Sequence, residues 1–222
     1  MNKEQARAIF FDLDGTLVDS AGDLATSVNH ALSVIEKPTL DEKIIRSYIG
    51  NGADRLIHRA ITRAYEGIAD PELYQPAKSA FLEHYANNIC TKSALYPGVE
   101  DVLQALREHS YQLACITNKP SQFTLPLLEA LHVSDFFKVV LSGDSLNRKK
   151  PAPDQLQHAA EQLDIAPAQC LMIGDTNTDI SAAMNCGMPA VFVTYGYGLA
   201  KDLDQRFSGP HIDRMPDLHH HL

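Results

Sequence analysis

Two aspartates, Asp12 and Asp14, stand one residue apart directly after the apolar run Ala8-Ile9-Phe10-Phe11, and Gly15-Thr16 follows them. Acids held this close can divide a reaction, one attacking as nucleophile and the other giving or taking a proton. Two adjacent carboxylates also resist double ionisation, which predicts a raised pKa on one of them. A second acidic pair, Asp175 and Asp179, follows the apolar run Leu171-Met172-Ile173-Gly174. Their spacing of four at a helix start places both on one face. Taken alone, the pair reads as capping, with Asp175 at the N-cap and Asp179 in the first turn. Where four such acids converge they require a hard cation with oxygen ligands, and Mg2+ fits best. Thr117-Asn118 closes a third apolar run, Leu113-Ala114-Cys115-Ile116, and by itself is an ordinary strand-end turn. Arg148-Lys149-Lys150, ahead of Pro151-Ala152-Pro153, is a basic cluster in a chain of formal charge −9; alone it would be a solvated loop.

Other chemistries fail on spacing. An EF-hand loop needs glycine at its sixth position, which counted from Asp12 is Leu17, and a strand precedes where a helix should stand. No Walker A sequence and no Gly-x-Gly-x-x-Gly occurs. No nucleophile elbow supports a Ser-His-Asp triad. Cys90, Cys115, Cys170 and Cys186 show no Cys-x-x-Cys pair, so free thiols are expected, with Cys115 and Cys170 as small core residues. The closing His219-His220-His221-Leu222 reads as a frayed tail.

The acids must be carried by strands. Residues 7–12 read as a first strand ending in Asp12, because a buried parallel strand is a continuous apolar run bounded by turn signals. From Ser20 to about Tyr85 apolar residues fall at helical spacing instead: Leu24, Val28, Ala31, Leu32 and Ile35, then Ile57, Ala60, Ile61 and Ala64, then Ala77, Phe81, Leu82 and Tyr85. From about residue 93 strands and helices alternate. Strands are expected at 112–117, 138–142, 170–174 and 190–194, and helices from Val99 to His109 and over 120–131, 152–163 and 178–186. That rhythm predicts an α/β fold, a Rossmann-like parallel sheet whose strand ends gather the acids, interrupted by an all-helical insertion. Linkers near 17–20 and 88–95 would join the two and could act as a hinge.

The motifs Asp12-Leu13-Asp14-Gly15-Thr16, Thr117-Asn118, Lys150-Pro151-Ala152-Pro153 and Gly174-Asp175-Thr176-Asn177-Thr178-Asp179, in this order, resemble those of the haloacid dehalogenase-like (HAD) phosphohydrolases, and the resemblance spans nearly the whole chain. Within that family, Asp12 to Ser20, Tyr48-Ile49-Gly50-Asn51-Gly52-Ala53-Asp54 and Thr194-Tyr195-Gly196-Tyr197-Gly198 look most like the phosphoglycolate phosphatases. The resemblance implies a HAD core of residues 1–17 and 93–222 with a helical cap of 18–92 that selects substrate. It implies that Asp12 attacks phosphorus to form an aspartyl-phosphate and that Asp14 protonates the leaving alcohol, then deprotonates the attacking water. Thr16, Thr117, Asn118 and Lys150 would bind the phosphoryl group, Lys150 matching the charge of its transition state. Asp12, Asp175 and the backbone carbonyl of Asp14 would hold Mg2+, which offsets acid–phosphate repulsion and polarises phosphorus, with Asp179 acting through water. The family often has asparagine where this chain has Thr178, which cannot copy an amide donor.

In the cap, Gly50-Asn51-Gly52 precedes a helix near Ala53, and helix N-termini bind anions. Asn51, Gly52 and Arg55 are therefore candidates for a substrate carboxylate, whereas His30, His58 and His84 are assigned to packing or surface. The reading that follows is a phosphomonoesterase for 2-phosphoglycolate, a small phosphorylated carboxylate. The alternatives are another small phosphate ester or pyrophosphate, a sugar phosphomutase, and last a non-catalytic binding protein. Asp14 with Asp175 argues against a haloacid dehalogenase, which works without metal and usually lacks the second acid, and Asp14 argues against a phosphonatase, which replaces it. The acidic balance gives no footing for nucleic acid, and no apolar run is long enough for a bilayer or a signal peptide. A cytoplasmic monomer or homodimer is the expectation.

Overall fold

The computed structural model of the chain describes residues 6–222; residues 1–5, the start of the expected core, lie outside the described residues. Its elements are β1 (Ala8–Phe11), β2 (Val18–Asp19), α1 (Ala21–Val34), α2 (Glu42–Arg46), α3 (Ala53–Thr62), α4 (Pro71–Asn87), β3 (Ala94–Leu95), α5 (Val99–Glu108), β4 (Gln112–Ile116), α6 (Ser121–Ala130), β5 (Val139–Leu141), α7 (Asp154–Gln162), β6 (Cys170–Gly174), α8 (Asn177–Asn185), β7 (Ala190–Val193) and β8 (His211–Ile212). Six strands form one sheet in the order β5-β4-β1-β6-β7-β8, every neighbouring pair parallel. The order reverses between β1 and β6, the switch point outside which ligands of open α/β sheets bind. Asp12 and Asp175 are the first residues beyond those two strands.

The apolar runs follow from burial on both faces. Ile9 and Phe11 join Leu113, Cys115, Ile173 and Val191 on one face, while Phe10 joins Ala114, Ile116, Met172 and Phe192 on the other. Successive strand side chains point to opposite faces, so a strand covered on both sides cannot alternate with polar residues.

The helical insertion is present as α1–α4, with its own core of Leu24, Val28, Leu32, Ile57, Phe81 and Tyr85, into which Phe123 and Tyr197 of the sheet half also pack. Pro71 opens α4 behind an Asp70 cap whose carboxylate accepts from the Glu72 N–H at 2.8 Å. Helix α3 stops at Thr62, short of Ala64, where Arg63 turns left-handed. The short α2 has too few residues to show a period.

The two linkers are more than connections. Val18 and Asp19 pair antiparallel with Leu95 and Ala94 as a two-residue ribbon. Beside it the buried Asp23 carboxylate accepts the Lys92 N–H at 2.9 and 3.0 Å, the Ser93 N–H at 2.8 Å and the Ser93 hydroxyl at 2.7 Å. The chain end departs from expectation too: Met215–His221 is a 3₁₀ helix, not a frayed tail. Met215 and Leu218, one 3₁₀ turn apart, are both buried in the sheet's core. All four cysteines are free thiols, as expected. His58 stacks on Tyr74 and His30 on His84, in keeping with packing roles. Among the described residues no helix is long and apolar enough to cross a membrane.

Candidate active site

Beyond Phe11 the ladder continues for one more bond, Asp12 N–H to the Ile173 carbonyl at 2.9 Å. The chain then folds over itself, with the Leu13 carbonyl accepting the N–H groups of Thr16, Leu17 and Val18. The turn requires Gly15 at φ 91°, and a Cβ there would lie 2.3 Å from Asp175 Oδ2. Asp14, carried to the rim of this turn, opens with Asp12 onto a small cavity, about 30 Å³, between the sheet and α1, α3 and α4.

Asp175 is not the helix cap. It sits one residue before the N-cap of α8, which is Thr176 in a capping box with Asp179. Residue 175 is thereby left to face Asp12, while Asp179 belongs to the helix start. The Thr16 hydroxyl donates to Asp175 Oδ1 at 3.1 Å and the Tyr197 N–H to Oδ2 at 2.7 Å. The loop carrying Tyr197 comes this close because position 196 is glycine: a Cβ there would lie 2.3 Å from the Asp175 Cβ.

Lys150 is 2% exposed and its ammonium meets Asp12 at 2.9 Å, Asp179 at 2.6 Å and the Ile116 carbonyl at 2.5 Å. Asp12, Asp175 and Asp179 each offer a carboxylate oxygen within 4.8 Å of the others. Burial, reinforced by Asp179 and opposed by Lys150, pushes Asp12 up to about 7. Burial with the charges of Asp179 and Asp12 raises Asp175 well above the usual carboxylate range. Three buried acids facing one buried cation are short of positive charge, and their all-oxygen donor set is the kind that hard cations take.

A second buried cation has no counterpart among the motifs read from the sequence. Lys119 follows Thr117-Asn118 directly, is 4% exposed, and holds Asp14 at 2.8 Å. Asp14 also accepts the Ser20 hydroxyl at 2.5 Å. Burial pulls the Lys119 ammonium down, but Asp14 outweighs it and leaves the group above the usual lysine range. A lysine reads as surface by default; its position between a strand end and Pro120 was the available signal.

Thr117, Asn118 and Gly52 reach the cavity with Asp12 and Asp14. Asn118 spans the two halves, its amide donating to the Lys150 carbonyl at 2.9 Å and the Gly50 carbonyl at 3.1 Å. Asn51 and Arg55 are not brought to that cavity; they line a wider cleft on the other side of the Gly50–Gly52 turn. Asn51 donates to the Thr178 hydroxyl at 3.2 Å, so position 178 serves as an acceptor across the cleft. Arg55 is held by Glu66 at 3.0 Å and the Tyr65 carbonyl at 2.6 Å, because the loop after α3 folds back over it. The buried Arg59 organises the turn instead, donating to the Tyr48 carbonyl at 2.7 Å and to Asn51 at 2.8 Å while stacking on Tyr65.

Residues 9–193 match the family model described as haloacid dehalogenase-like hydrolase. Among curated relatives, a phosphoglycolate phosphatase from Nitrosococcus oceani is 40% identical over 97% of this chain and 96% of its own. One from Escherichia coli is 41% identical over 92% of this chain and 88% of its own. A solved structure described as a predicted phosphoglycolate phosphatase from Haemophilus somnus superposes with a TM-score of 0.90 at 36% identity, covering 99% of both chains.

Proposed function

The chain belongs to the haloacid dehalogenase-like hydrolases, and on that footing we propose that it is a magnesium-dependent phosphomonoesterase hydrolysing 2-phosphoglycolate to glycolate and phosphate. The observation that carries this reading is the pair of acids at the end of β1, each with its own buried lysine: Asp12 with Lys150 at 2.9 Å and Asp14 with Lys119 at 2.8 Å. Relatives at 40% and 41% identity over most of both chains support the choice of ester.

In this reading an Asp12 oxygen attacks phosphorus. A bond from Asp12 to phosphorus forms as the bond from phosphorus to the ester oxygen breaks, and Asp14 gives that oxygen a proton, releasing glycolate. Water then attacks the aspartyl-phosphate, Asp14 takes its proton, and phosphate leaves as Asp12 is restored. Thr16, the Thr117 hydroxyl and the Asn118 N–H hold phosphoryl oxygens, while Lys150, fixed by Asp179, matches the charge that builds on them. Asp12, Asp175 and the Asp14 carbonyl would hold Mg2+, with Asp179 behind them; bound there, the ion offsets repulsion between acids and phosphate and polarises phosphorus. Residues 18–92 act as a cap over a core of 1–17 and 93–222, and their apolar wall excludes water from the reacting group.

The test is phosphate release from 2-phosphoglycolate, sugar phosphates, pyrophosphate and nucleotides, with Mg2+ and with chelator. The expected result is strong, magnesium-dependent preference for 2-phosphoglycolate. Preference for another ester would keep the Asp12 chemistry and discard the substrate. Retention of a bound phosphorylated sugar would favour a phosphomutase.

A further inference from the structure

Away from its acids, the cavity over Asp12 is walled by apolar side chains, including Leu24, Ile49, Leu56, Phe81 and Phe123. Among the described residues lining it, Lys119 is the one cation. Its ammonium lies 2.8 and 3.1 Å from the two Asp14 oxygens and 2.7 Å from the Tyr85 hydroxyl. Asp14 is anchored without it, through Ser20 at 2.5 Å. A lysine enclosed this far from water is costly unless an anion accompanies it, and Asp14 is still partly open to the cavity, its side chain 14% exposed. The Lys119 side chain is itself only 3% exposed, and what is exposed borders the same cavity as Asp14.

The reaction fixes where a substrate anion would fall. When Asp14 touches the leaving oxygen of 2-phosphoglycolate, the carboxyl carbon lies two bonds of about 1.5 Å beyond that oxygen. A carboxylate there is within reach of an ammonium that itself touches Asp14. We propose that Lys119, steadied by Tyr85, receives the substrate's carboxylate and is the residue that selects carboxylated phosphate esters. Gly52 and Ala53, which open α3, line the same space and add the positive end of a helix. A sugar phosphate would instead press its hydroxyls against Leu24, Phe81 and Phe123, where they find no partners. The assignment rests on the proposed phosphatase chemistry for the position of the ester, but not on glycolate being the alcohol.

The test compares 2-phosphoglycolate and 2-phospholactate with ethyl phosphate, in which a methyl group replaces the carboxylate. Wild type, Lys119→Met and Tyr85→Phe are each assayed for kcat and KM. In Lys119→Met, kcat/KM for the carboxylated esters should fall about 10- to 100-fold further than for ethyl phosphate, mainly through KM, the range expected for one charge-assisted hydrogen bond. Tyr85→Phe, which keeps the charge and the ring, should narrow the same gap by about 3- to 10-fold, and it decides the matter if circular dichroism shows Lys119→Met unfolded. Equal losses on both ester types, in an enzyme that prefers 2-phosphoglycolate, would overturn the role of Lys119 and leave the substrate reading standing. A wild-type preference for 2-phospholactate that Lys119→Met erases would do the reverse. A wild type indifferent to the carboxylate would sink both.

Discussion

Asp23→Asn should weaken the protein far more than its size suggests. The carboxylate is 2% exposed and takes three donors from the returning linker: the N–H groups of Lys92 and Ser93 and the Ser93 hydroxyl. The amide has nearly the same volume, so packing is conserved, but it keeps one acceptor and turns a new donor toward this cluster. The Ser93 hydroxyl can rotate to accept from it; the backbone N–H groups cannot, so an amide oxygen in the Oδ2 place keeps only uncharged bonds to both of them while the amide nitrogen in the Oδ1 place opposes the Lys92 N–H, donor against donor. A hydrogen bond to a charged group contributes about 1.5–3 kcal/mol and an orphaned buried donor costs about 1–3 kcal/mol. These overlap, and the expected loss is about 2–4 kcal/mol. At about 2–4 °C per kcal/mol for a chain of this length, Tm should fall by about 4–16 °C. Urea unfolding at pH 7 should show a lower midpoint with an unchanged slope. A loss below about 0.5 kcal/mol, the level of an ordinary surface change, would refute the claim that Asp23 holds the two linkers together.

Two further outcomes follow from the site. Asp12→Asn should lower turnover by about 10⁵-fold or more, as removal of a nucleophile does, while circular dichroism stays that of wild type; appreciable phosphate release from a clean preparation would remove Asp12 from the nucleophile's role. Asn51→Ala and Thr178→Val should each reduce kcat/KM, with a coupling energy of about 0.5–1.5 kcal/mol in a double-mutant cycle if the bond between them holds the turn closed; additive losses would mean that the contact contributes nothing.

What could be read in the sequence was whatever local pattern determines. Phe10 and Phe11 must both be apolar because both faces of β1 are covered, and that alone placed Asp12 at a buried strand end. The three runs ending at Asp12, Thr117 and Asp175 converge because β1 lies between β4 and β6. Contacts set by the closing of one half over the other left no local trace. Lys119 meets Tyr85 across 34 positions and Asp14 across 105, and neither spacing has a period to detect. Asn51 and Arg55 were legible as residues near a helix start, but not the direction they face, because the loop over Tyr65–Gly67 that claims Arg55 has no pattern of its own. The cap at Thr176 rather than Asp175 turned on one residue, within the ordinary uncertainty of a helix boundary.

The ribbon of β2 and β3 has a consequence for how such a protein can change. Seen from the sheet, the whole run 20–93 is the loop of a hairpin, since the chain leaves beside Leu95 and returns beside Val18. The entropy of closing a loop rises by only about 0.6 kcal/mol for each doubling of its length, so the sheet is nearly indifferent to what fills the interval. The reacting groups beyond β1, β4 and β6 need only the two ends to meet. In the proposed reading, whatever selectivity the interval carries is therefore free to vary by exchange of the interval as a unit, without disturbing the groups at the strand ends. Lys119, the selector proposed above, is the exception: it is anchored on the sheet side, so a replacement interval would still have to supply its Tyr85.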